Sequence, residues 1–109
     1  MKPARLLSEA ERDIRRAVNR YEERRRGLGE RFLDELTRTF EQIAENPLIG
    51  IRDGGLLQFK RVRKFPYLVV FAEVENEIVF LAVHHHARDN AYWYDRLLTD
   101  FGSGDIVPQ

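Results

Sequence analysis

The feature that most constrains this chain is a change of hydrophobic period near Asn46-Pro47. Before it, apolar residues recur at steps of three and four; after it, they gather in short runs rich in β-branched and aromatic residues. The first spacing lays a stripe along one face of a helix, and the second suits a pleated strand flanked by neighbours. Helices followed by strands, rather than alternating with them, define an α+β chain.

In the first half, Leu7, Ala10, Ile14, Ala17, Val18 and Tyr21 form one stripe, while Arg12, Arg15, Arg16, Glu22 and Glu23 fill the other faces. Ser8, three residues ahead of Glu11, has the spacing of a capping box, so a helix is expected to start there. Gly27-Leu28-Gly29 should end it, because glycine tolerates the left-handed cap and disfavours continued helix. A second stripe at Phe32, Leu33, Leu36, Phe40, Ile43 and Ala44 closes at Asn46-Pro47, where the residue before proline is pushed out of helical geometry. Two helices joined by so short a turn must lie antiparallel.

In the second half, residues 57–63, 67–74 and 78–85 read as strands, and the polar turn Glu75-Asn76-Glu77 makes the last two an antiparallel hairpin. Ile78 to Val83 is apolar at both parities, as a central strand covered on both faces requires. One cover is the helical hairpin. The other is either a partner protein or residues 90–98, whose Tyr92, Trp93, Tyr94, Arg96 and Leu97 read as a short C-terminal amphipathic helix. The expected fold is therefore an N-terminal antiparallel helical hairpin packed on a small, mainly antiparallel β-sheet. Residues 1–98 are expected to form one domain and the Gly/Ser-rich residues 99–109 a flexible tail.

The absence of cysteine excludes disulfides and thiolate zinc sites and makes a reducing cytoplasm the expected setting. No apolar run approaches the roughly 20 residues that span a bilayer, so no membrane partner is expected. Eighteen basic residues balance eighteen acidic ones, so any attraction to nucleic acid must be local. From Gly54 to Ala72 the chain carries Lys60, Arg61, Arg63 and Lys64 and no acid. Lys60, Arg61 and Lys64 are the binding candidates. Strand alternation would place Arg61 and Arg63 on one side, about 7 Å apart, with Lys60, Val62 and Lys64 on the other. Such a pair suits a phosphate or an acidic partner; the alternative is solvated charge or ion pairing with helix glutamates.

His84, His85 and His86 end the last strand, His84 and His86 on one face and His85 on the other. Histidine titrates near neutrality and can move protons in metal-free cleavage of an RNA backbone, which needs a base, cations on the developing phosphorane and an acid. Arg63, His86, Arg88 and Tyr92 can fill those catalytic roles. The alternative is that the histidines make satisfied structural hydrogen bonds. His84 and His86 lack a third ligand for a metal, and no phosphate loop, dinucleotide fingerprint or serine elbow is present, so neither metal nor cofactor is expected.

The stretches Leu7-Ser8-Glu9-Ala10-Glu11-Arg12-Asp13-Ile14, Asn46-Pro47, Arg61 through Phe71 and Val83-His84-His85-His86-Ala87-Arg88 leading to Tyr92-Trp93, in that order, resemble the RelE/ParE toxin superfamily over about Leu7 to Leu98. The resemblance implies the toxin of a type II toxin–antitoxin system, neutralised by a cognate antitoxin in a hetero-oligomer. ParE-like members inhibit DNA gyrase. RelE-like members cut messenger RNA on the ribosome, with working groups about where Arg63, His86, Arg88 and Tyr92 stand. Phe65-Pro66-Tyr67, the long hairpin and zero net charge lie closer to the ParE side. A third reading is a degenerate orphan that binds antitoxin and poisons nothing.

Overall fold

A computed structural model describes residues 2–85. The chain begins with strand β1 (Ala4–Leu6), followed by helices α1 (Ser8–Arg24) and α2 (Leu28–Glu45) and a 3-10 turn at Pro47–Ile49. Strands β2 (Ile51–Arg52), β3 (Gln58–Arg61), β4 (Tyr67–Val74) and β5 (Glu77–His85) complete it. The sheet runs β1-β5-β4-β3-β2, antiparallel except where β1 lies parallel to β5. This is the expected α+β arrangement of a helical hairpin on a mainly antiparallel sheet. The expected C-terminal helix and the tail lie outside the described residues. No helix among the described residues is long and apolar enough to cross a membrane.

The helix boundaries differ from the sequence reading in instructive ways. Leu7, not Ser8, caps α1: it is extended, its N–H donates to Phe80 O at 3.1 Å, and its carbonyl accepts from Glu11 N at 3.0 Å. The chain passes from β1 into α1 without a side-chain cap, and Ser8 Oγ lies against Glu9 rather than closing a box with Glu11. Gly27 makes the turn in left-handed geometry at φ 86°, but Gly29 already belongs to α2. A Cβ at Gly29 would meet Val18 O at 2.7 Å, so glycine there serves the close approach of the two helices. The Glu22 carboxylate accepts from the backbone N–H groups of both Gly27 and Gly29, at 2.8 and 2.9 Å, and so caps the start of α2 from α1.

The hairpin buries Ala17, Tyr21, Phe32, Leu36 and Ile43 against Val69, Phe71, Ile78, Phe80 and Val83 of the sheet. Leu33, assigned to the α2 stripe, is 42% exposed. Thr39 is buried in its stead, its hydroxyl satisfied by Glu35 O at 2.9 Å. The second face of the sheet is buried as well, through Val70, Ala72, Val79, Leu81 and Ala82, as the two-sided apolar pattern of β5 requires.

A bulge interrupts the β4–β5 ladder: Phe71 faces Phe80 but Val70 faces Ala82, so Leu81 is an extra residue in β5. Leu81 and Ala82 consequently join the same face, and alternation restarts with Val83 under the helices.

Candidate functional site

The basic segment between β3 and β4 is built by alternate anchoring. Val62 is fully buried, and its N–H donates to Tyr67 O at 2.9 Å, closing the turn. Phe65 is buried against Tyr21 and Phe32, with ring centroids 5.0 and 5.1 Å away in edge-on geometry, and Tyr67 packs on Phe32 at 5.1 Å. These aromatics tie the turn to both helices, worth about 0.5–1.5 kcal/mol per pair beyond area burial. Between the anchors, Arg61, Arg63 and Lys64 are left exposed, Lys64 in left-handed geometry at φ 72°.

The strand ends at Arg61, so alternation does not carry through to Arg63 and Lys64. Lys60, Arg61 and Arg63 instead line one cleft of about 310 Å³ with Glu35, Arg38, Thr39 and Gln42 of α2. Lys64 lines a neighbouring hollow with Leu28, Arg31, Glu35 and Phe65. Glu35 is engaged with Arg38 at 3.3 Å, and none of Lys60, Arg61, Arg63 and Lys64 forms an ion pair among the described residues. The cations therefore do not serve as partners for helix glutamates. They stand beside a cleft at the lower end of small-molecule pocket sizes, open to an anionic group.

At the far end of β5, Tyr67 pairs with His85 and Leu68 with His84, so the two histidines take opposite faces as alternation demands. The chain leaves β5 at the end of the sheet that carries the β3–β4 turn. His85 is exposed and edge-on to Tyr67 at 6.0 Å. His84 is buried, its Nε2 3.3 Å from Asp13 Oδ2. Asp13 also accepts from Val83 N at 3.1 Å. A small cavity of about 140 Å³ joins Asp13, Arg16 and Arg20 of α1 to Tyr67, His84 and His85. His84 thus sits as a buried imidazole beside the Asp13 carboxylate. Burial, with Tyr67 nearby, raises the Tyr21 hydroxyl above its ordinary pKa, so its ring serves as neutral packing beneath this end of the sheet.

Of the nuclease candidates, Arg63 falls within the described residues, and His86, Arg88 and Tyr92 lie outside them. The sequence reading passed over Asp13, although a carboxylate three residues from Ala10 and four from Ala17, on an otherwise apolar stripe, was a legible signal of a buried partner.

The family model for the ParE toxin of type II toxin–antitoxin systems, parDE, matches residues 4–90. The chain belongs to the ParE toxin family. The match runs from β1 through β5 and reaches beyond His86 and Arg88, so it takes in the cationic turn, the cleft above it and the histidine run alike. A ParE-family toxin of this kind implies an antitoxin partner within its toxin–antitoxin system. A comparison with curated proteins finds no match.

Proposed function

We propose that this ParE-family chain arrests growth by binding and inhibiting DNA gyrase, and that a cognate antitoxin neutralises it in a toxin–antitoxin hetero-oligomer. The observation that carries this reading is the ParE family match over 4–90. Charge supports it, because a net-neutral protein lacks the pervasive basic surface that docking into a phosphate-dense ribosome favours. On this reading Lys60, Arg61 and Lys64, around the β3–β4 turn, contact acidic groups of gyrase or of the antitoxin. The protein works as a single domain of residues 1–98 in the cytoplasm, where both partners reside.

The test is a supercoiling assay with purified toxin and gyrase. Inhibition that titrates with toxin and is reversed by antitoxin is expected; full supercoiling at toxin excess overturns the reading. A second reading is ribosome-dependent cleavage of messenger RNA by Arg63, His86, Arg88 and Tyr92. It draws on the arrangement in which the chain leaves β5 at the end of the sheet bearing Arg63. Site-specific cuts in translated messenger that disappear in His86→Ala and Tyr92→Ala, with gyrase unaffected, would favour it. Expression without any growth defect would point instead to a degenerate orphan that binds antitoxin alone.

A further inference from the structure

The exposed face of α1 carries a charge pattern that neither the cationic turn nor the hairpin packing uses. Arg12, Arg16 and Arg20 follow one another at four-residue intervals and are all exposed, with Arg15 and Asn19 beside them. From Arg12 to Tyr21 the one acid is Asp13, and it is buried against β5. The other carboxylates of this helix face are Glu9 and Glu11 before the row, with Glu11 3.9 Å from Arg15, and Glu22 and Glu23 after it, with Glu22 held by the α2 cap. Among the described residues Arg12, Arg16 and Arg20 have no ion-pair partner. Like charges at i and i+4 disfavour a helix, so the row's own members repel one another.

We infer that this face is a sequence-independent contact site for the phosphate backbone of a nucleic-acid duplex. Four residues of helix rise about 6 Å, so successive arginines of the row follow a ridge inclined to the axis, each a fork able to take phosphate oxygens in pairs. Arg12, Arg15, Arg16 and Asn19 surround a shallow hollow, and Asn19 adds an amide donor of the kind that positions a protein on DNA. Arg16 and Arg20 also line the cavity shared with His84 and the exposed His85, which extends the row toward the end of the sheet.

The same face disfavours other occupants. A protein interface needs apolar or aromatic anchors at its centre, and among the described residues the exposed large hydrophobics Leu6, Leu33, Leu48 and Ile51 all lie off α1. A single strand needs aromatic rings for base stacking, and the one aromatic of α1, Tyr21, is buried. A polar, strongly cationic and apolar-free surface is the composition of a duplex-backbone contact.

The experiment is fluorescence anisotropy of a labelled mixed-sequence DNA duplex with the full-length chain. Three neutralised phosphates give a log-log salt slope near −2.7, so affinity should fall about 40-fold between about 50 and about 200 mM salt. The Arg12→Ala/Arg16→Ala/Arg20→Ala variant, checked by circular dichroism for intact helix, should lose about tenfold or more of the low-salt affinity and most of the salt slope. The corresponding triple glutamine variant, closer in length to arginine, should behave alike. The proposal is overturned by absence of binding at low salt, by either variant keeping wild-type affinity and slope, or by polyglutamate competing as well as unlabelled duplex at equal charge, which would mark the face as an acidic-protein site.

Discussion

Asp13 on α1 and Val83 on β5 are joined by a hydrogen bond of 3.1 Å from the strand's backbone N–H to the helix's carboxylate. β1 covers the edge of β5 as far as Phe80, where Leu7 N makes the last backbone contact, and beyond it Asp13 takes the place of a neighbouring strand. Asp13→Ala should strip a buried N–H of its acceptor and destabilise the fold by about 1–3 kcal/mol. Asp13→Asn, which keeps an acceptor oxygen, should cost less. Urea unfolding of the three proteins checks the order; an alanine variant as stable as wild type would deny the carboxylate this role.

Glu22 makes stability pH-dependent. Its two backbone hydrogen bonds from Gly27 and Gly29 hold its carboxyl below the ordinary carboxylate value. A lowered folded-state value means the unfolded chain binds the proton first on acidification, so this contribution is present at neutrality and fades as pH falls through and below the usual carboxylate range. Glu22→Gln should lower the unfolding midpoint at pH 7 and flatten the acid limb of the stability profile. A profile parallel to wild type would contradict the assignment.

The two glycines of the hairpin turn should respond differently to alanine. At Gly27 there is open space for a methyl group but the backbone is left-handed, so the cost is the conformational strain of about 1 kcal/mol. At Gly29 the methyl would collide with Val18 O on α1, and overpacking of this kind costs about 1–3 kcal/mol. Thermal melts of both variants test the ranking, and a Gly29→Ala protein more stable than Gly27→Ala would reverse it.

Phe65 should matter both to stability and to the cationic turn. Removing its ring in Phe65→Ala empties a site between Tyr21 and Phe32 and should cost about 3 kcal/mol. It should also release Arg63 and Lys64 from their fixed positions, seen as faster amide exchange across residues 62–66 than across β5. Uniform loss of protection in both segments would show that the ring stabilises the whole fold without specifically holding the turn.

Much of this architecture was legible before any coordinates. The α2 end at Asn46-Pro47, the hairpin around Glu75-Asn76 and the two-sided burial of β5 follow from local chemistry that tertiary contacts reinforce. β1 was not legible, because Ala4, Arg5 and Leu6 are all exposed and their pairing depends on a strand more than 70 residues away. β2 has two residues, too few to show a period. In the site, the composition of the basic segment was plain from sequence. Its geometry was not, since the strand stops at Arg61 and α2 supplies the opposite wall of the cleft. The arginine row on α1 was less legible, because Arg12, Arg16 and Arg20 stand among the mixed charges outside the apolar stripe.

The extra residue at Leu81 divides β5 into two registers. Upstream of it, packing under the hairpin falls to Ile78 and Phe80; downstream it falls to Val83, with His85 on that same side. Were β5 to alternate strictly from Phe80 onward with all its residues kept, Val83 would turn away from the hairpin. His84 would then lie under the hairpin and His85 on the opposite side. The bulge thus decides which histidine faces the helices without altering how Ile78 and Phe80 pack at the strand's beginning.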